Sequence, residues 1–132
     1  MDRTLAKKWV TALRSGDYLQ GTDYLCSTDF SEKDPFESFC CLGVLADIVG
    51  IPYDNRKKIK SENDEWEPAF ISSRIYHNDD KETSVDDFPT EEMLLKMGGL
   101  EEDVARDLAE MNDHDVSFAE IADCIEKQEI KI

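Results

Sequence analysis

Between residues 3 and 15, Leu5, Trp9, Ala12 and Leu13 recur at helical spacing with Lys7, Lys8 and Arg14 between them. That pattern predicts an amphipathic helix with one buried face, stopped by Gly16. Residues 18–30 mix Tyr24, Leu25 and Cys26 with Gly21 and aspartates, and read as a short strand or an ordered loop. A second helix is expected over residues 39–49, with Ser38 as N-cap and Leu42, Leu45, Ala46 and Val49 as its stripe. Asp47 is the one charge in this stretch, so the helix belongs at the centre of the fold. Gly50 ends it, and Ile51-Pro52 sends the chain away in an extended conformation.

Residues 53–87 shift in composition from the basic Arg56, Lys57, Lys58 and Lys60 to an acidic run over 62–67. Trp66, Phe70, Ile71, Ile75 and Tyr76 then appear among polar residues. One or two short strands joined by long loops are expected here. Helices close the chain. The first begins with Thr90 as N-cap or Pro89 near its start, carries Met93, Leu94 and Met97, and stops at Gly98-Gly99. The next runs over residues 100–111 with Val104, Leu108 and Met111 on one face, and Asn112-Asp113 makes a turn. In the last, over residues 118–127, Ser117 and Glu120 form a capping box, with Val116 and Ile121 placed as a hydrophobic staple. The elements together predict an α+β fold, a mostly helical core with a small antiparallel sheet, in a single domain over residues 1–132.

Length and composition agree with that reading. The 132 residues are 40% hydrophobic, enough to bury a core despite 35% charged residues. No apolar run approaches the roughly 20 residues that cross a bilayer, and the first eight residues lack the apolar core of a signal peptide. A cytoplasmic protein is expected, with Cys26, Cys40, Cys41 and Cys124 as free thiols. The formal net charge of -16 argues against direct binding of nucleic acid or an anionic membrane. A protein partner with a basic surface fits better. Between residues 82 and 126, 15 Asp and Glu face only Lys96 and Arg106, a local balance of 2 - 15 = -13.

Candidate chemistry centres on Cys40-Cys41. At a helix start the partial positive charge of unpaired N–H groups lowers a thiol pKa and favours a nucleophile. The alternative is that both are small buried residues beside Phe39 and Leu42. Gln20 stands upstream, as the oxyanion donor does in papain-like enzymes, and the base would have to be His77 or His114, each in a polar run. Zinc would need cysteines or histidines spaced by a few residues, which the chain lacks. The stretch from Asp113 imitates a calcium loop until Phe118 stands at the position of the required Gly and Cys124 at that of the Glu. No Gly-rich phosphate loop, serine elbow or HExxH element is present. Neither a metal nor a cofactor is expected. The acidic C-terminal region is either a set of solvated helix faces or a surface that imitates the charge of nucleic acid.

Three stretches carry a resemblance: Trp9-Val10-Thr11-Ala12-Leu13-Arg14-Ser15-Gly16-Asp17-Tyr18 with Gln20-Gly21; Phe39-Cys40-Cys41-Leu42-Gly43-Val44-Leu45-Ala46-Asp47; and residues 108–125 with Asn112-Asp113 and Ser117-Phe118-Ala119-Glu120-Ile121-Ala122-Asp123. Together they resemble a family of small phage and prophage proteins of unassigned function. Thr22 and Ala46 stand where that family usually has a basic residue and a further cysteine, which weighs against a shared metal or thiol site. The resemblance implies a phage-type origin and marks Arg14, Tyr18, Gln20, Cys40, Cys41, Asn112 and Asp113, polar members of which would line a small pocket or lock a turn.

The function expected from all this is a small acidic binding protein that blocks a host macromolecule, with Glu101, Glu102 and Asp103 at its surface. The alternative is a pocket protein, either sequestering a small ligand or nucleotide or acting as a cysteine hydrolase.

Overall fold

The computed structural model describes residues 1–29, 36–59, 70–77 and 85–127, with backbone alone at 56–59, 70 and 71. Helix α1 (Arg3–Arg14) buries Trp9, Val10 and Leu13, and the chain turns away at Gly16 with a φ of 79° that a side chain would resist. Strands β1 (Leu19–Gln20), β2 (Cys26–Asp29) and β3 (Phe36–Phe39) follow, then helix α2 (Cys41–Val49). Strands β4 (Tyr53–Ile59) and β5 (Phe70–Tyr76) form a ribbon, and helices α3 (Glu91–Lys96), α4 (Glu102–Asp113) and α5 (Phe118–Glu126) complete the order. The fold is α+β, with five helices and one sheet of order β1-β3-β2-β5-β4 among the described residues. Its pairings are antiparallel except β1 with β3, which run parallel over Leu19↔Ser38 and Gln20↔Phe39. The expected small antiparallel sheet is present, with one parallel pairing added at that short contact, where β1 reaches the edge of a strand distant in sequence.

Ser38 does not cap the central helix. It lies in β3, and Cys40 takes the cap instead, extended at φ -81° and ψ 170°, with its Sγ accepting from Gly43 N at 3.3 Å. The pull of β1 and β2 on both sides of β3 keeps the chain extended up to Phe39. Helix α2 then starts against the sheet: Cys40 N donates to Leu25 O at 3.1 Å. A Cβ at Gly43 would collide with the Leu25 carbonyl, so only glycine permits this approach. Six of the nine α2 residues, from Cys41 to Ala46, are buried. Val49, expected in the core, is half-buried at its margin.

The C-terminal helices follow their local signals. Thr90 accepts from Met93 N and Ser117 from Glu120 N, both at 3.2 Å, and Gly98 and Gly99 adopt positive φ after α3. Asn112-Asp113 is no turn, however: both residues belong to the last turn of α4, and Asn112 is fully buried. The acidic run over 62–67 and Trp66 lie outside the described residues.

Two substitutions test this packing. Leu45→Ala, at a fully buried α2 position, should cost about 2 to 5 kcal/mol in denaturant unfolding. An unchanged midpoint would place α2 outside the core. Ser117→Ala should cost about 0.5 to 2 kcal/mol by removing the acceptor of a helix N-terminus.

Candidate functional site

Three of the residues marked by the motif resemblance, Gln20, Cys41 and Asn112, converge on one largely buried polar junction. Gln20, at the end of β1, donates through Nε2 to Asn112 Oδ1 at 3.1 Å and to Val116 O at 2.7 Å. Its Oε1 accepts from Phe118 N at 3.1 Å. Asn112 in turn donates through Nδ2 to Gly21 O at 2.8 Å and accepts from Cys41 N at 3.2 Å. Every donor meets an acceptor, which fixes both amide orientations, because flipping Asn112 would set its NH2 against the Cys41 N–H. The two backbone donors are the first residues of α5 and α2, whose N–H groups have no partner inside their own helix. Gly21 allows β1 to lie close to β3, since a Cβ there would press on the Ser38 side chain.

Trp9 extends the junction to α1 by donating its indole N–H to Cys41 O at 2.9 Å, and Cys41 Sγ reaches Leu108 O at 3.5 Å. Both thiols of the pair are buried and none of this resembles an activated nucleophile. Burial pushes Cys40 up to about 11, outweighing the Gly43 N–H that favours its thiolate, and holds Cys41 well above its ordinary value. Burial raises Cys26 as well. Both hydrogens of the Gln20 amide are occupied, leaving no donor for an oxyanion. His77 pairs with Asp54 at 2.9 Å, and the exposed His114 lies 4.0 Å from Glu110. Each histidine thus faces a surface carboxylate, and the geometry offers no base to a cysteine.

Tyr18 and Arg14 belong elsewhere. The Tyr18 hydroxyl donates to Asp47 Oδ2 at 2.6 Å, its ring meets Phe39 edge-on at 4.9 Å, and desolvation, with the Asp47 hydrogen bond, pushes its pKa up to about 12. Asp47 also receives Arg74 at 3.0 Å, and Arg74 reaches Glu37 at 3.2 Å while its guanidinium lies 4.0 Å over the Tyr53 ring. Sequence reasoning missed Arg74. The signal available was Asp47 itself, a lone carboxylate in an apolar helix that had to find a partner. Arg14 joins α1 to α5 through Asp123 and Glu126, both at 2.5 Å. Asp113, Glu101, Glu102 and Asp103 are exposed.

Grooves of about 910, 470 and 380 Å3 lie between α1 and α5, along the other side of α1 and at the end of α4. Arg14 lines the first and Tyr18 the second; Gln20, Cys40 and Cys41 line none of the three. Among the described residues no group of three His, Cys, Asp or Glu is placed to hold a metal ion, and no helix is long and apolar enough to cross a membrane.

A family model described as a domain of unknown function, DUF8296, matches residues 1–129. The chain belongs to this family. No curated protein and no solved structure matches it. The DUF8296 match takes in the whole junction, from Trp9 to Phe118, together with all five helices.

Three measurements test the junction. In native protein at pH 8, an aromatic disulfide reagent should label only the half-buried Cys124, and all four thiols only in denaturant. Because Cys40 stays protonated to about 11 against an ordinary 9.0, the unfolded chain holds fewer protons between those values. Stability should therefore fall as pH rises through that window. Asn112→Ala should cost on the order of 3 kcal/mol or more by stranding Cys41 N and Gly21 O. Asn112→Asp should recover part of this at low pH, where a protonated carboxyl can donate to Gly21 O.

Proposed function

We propose that the protein is a non-enzymatic binder that engages a basic protein surface through the acidic face of α4 and α5. In the phage-type setting implied by its motifs, the partner is a host macromolecule whose action is blocked. One observation carries this reading. Residues 101–127 present ten carboxylates, all exposed, against Arg106 and Lys127. Internal pairing accounts for only some of them: Glu102 with Arg106 at 2.7 Å, Asp123 and Glu126 with Arg14, and Glu110 beside His114. Glu101, Asp103, Asp107, Asp113, Asp115 and Glu120 have no cation within ion-pair distance among the described residues.

Such a surface raises association rates with a basic partner and repels nucleic acid and anionic lipid. The absence of a cysteine–histidine pair at the junction and the engagement of the Gln20 amide favour this reading over a thiol hydrolase.

The test is parallel capture from bacterial lysate by wild-type protein and by the triple variant Glu101→Lys, Glu102→Lys, Asp103→Lys, followed by titration of whatever is captured in purified form. Affinity should drop at least about tenfold in the triple variant and fall as salt rises from about 0.1 to 0.5 M, where screening shortens the range of charge attraction. Binding indifferent to both changes would refute the acidic-face reading. Cys40→Ser, if folded, should bind as wild type does.

A further inference from the structure

We infer that the exposed face of α1 is a second docking surface, shaped and charged for an acidic amphipathic helix of a partner protein. The shape comes from two grooves that share one ridge. The groove of about 910 Å3 and that of about 470 Å3 lie on either side of Lys7, Thr11 and Ser15, which line both. These residues are spaced by four, the spacing of a helix surface ridge that a second helix straddles when its own ridges enter the flanking grooves. Thr11 and Ser15 are short, so the ridge is low. Buried Val10 and Ile125 lie in the larger groove and half-buried Ala12 and Tyr18 in the smaller, giving apolar floors on both sides. Helix-in-groove recognition needs this combination of apolar floor and polar edge.

The charge comes from Arg3, Lys7 and Lys8, which outnumber the two carboxylates lining the grooves, Asp17 and the Glu126 already paired with Arg14. All three cations are exposed and have no acidic partner among the described residues, in a chain of net charge -16. They occupy the first half of α1, where the helix dipole is already positive, and the first turn contains no acid. A helix ordinarily places carboxylates there. Asp2, at the N-cap, is the one carboxylate at this end and makes no side-chain cap bond, so three exposed cations crowd a positive pole that the carboxylates of a bound helix would neutralise.

Other occupants fit less well. A second copy docking α1 on α1 would bring Lys7 and Lys8 against themselves, and one laying its own acidic α4 there would make the free chain self-associate, an outcome that would overturn the inference. A nucleic acid has no use for the apolar floors and meets a strongly acidic protein. A single hydrocarbon chain with an anionic head would fill one groove and ignore the other.

The probe is a hydrocarbon-stapled peptide of two Leu-Glu-Glu-Leu-Leu-Glu-Ala heptads, with a lysine-for-glutamate peptide as its counterpart and dodecanoate as the lipid-like competitor. Binding to the full chain is read by fluorescence anisotropy and mapped by amide chemical shifts. The acidic peptide should bind, shifting amides on both sides of Thr11. Lys7→Glu with Lys8→Glu should weaken it at least about tenfold, and Thr11→Tyr, which raises the ridge, should do the same without altering charge. The triple reversal at Glu101, Glu102 and Asp103 should not weaken it, so failure here is separable from failure of the acidic-face reading. Equal or tighter binding of the lysine peptide, shifts confined to α4, or displacement by dodecanoate with one groove alone responding would each overturn the inference.

Discussion

The fold depends on a problem of unpaired backbone groups where five chain segments meet. Helices α2 and α5 each begin with an N–H that their own ladder leaves free, Gly21 O directly follows β1, and Val116 O lies in the turn before α5. Buried without partners, each would cost about 1 to 3 kcal/mol. Gln20 and Asn112 satisfy all four and one another. Apolar side chains of similar size would fill the volume and leave these groups stranded. Each amide offers both donors and an acceptor, so the pair also fixes how α4, α5, α2 and β1 are set together. Trp9 brings α1 into the same arrangement through Cys41 O.

That solution removes the chemistry a sequence reading would look for. Cys40 stands at a helix start, where a thiolate is favoured, but its sulfur already serves as the cap and desolvation dominates. Gln20, placed upstream like an oxyanion donor, spends its amide on protein groups. A polar residue far from its partners in sequence has the same appearance whether it meets a substrate or a backbone, and only the geometry separates the two.

What was legible in the sequence was local. Helix periodicity, the caps at Thr90 and Ser117, and the stops at Gly16, Gly50 and Gly98 all act within a few residues, and the structure contains each of them. The errors arose where a distant strand or helix decided. Ser38 has the chemistry of a cap, yet pairing with Leu19 and Ser27 holds it extended. Asn112-Asp113 has the chemistry of a turn, yet the bonds to Gln20, Gly21 and Cys41 repay Asn112 for its place inside α4. Arg74 gave no signal of its own, because a lone arginine in a Ser-Ser-Arg-Ile-Tyr strand is ordinary until Asp47 and Glu37 arrive from other elements.

The distribution of cations is the feature that packing does not explain. Arg74 neutralises Asp47 and Glu37 inside the fold, Arg14 fastens α1 to α5, and Arg106 and Lys96 sit beside glutamates one turn away in their own helices. With 31 acidic residues against 15 basic ones, partners for a cation are abundant. Arg3, Lys7 and Lys8 nevertheless remain unpaired among the described residues, while six carboxylates between Glu101, the N-cap of α4, and Glu120 in α5 do as well. Pairing these two groups within one molecule would lower the charge energy of the isolated protein, but the fold holds both outward instead. Solubility requires neither arrangement, because excess acid alone supplies it. Two surfaces of opposite sign, each left unsatisfied, are what a protein needs if it meets its partners through charge.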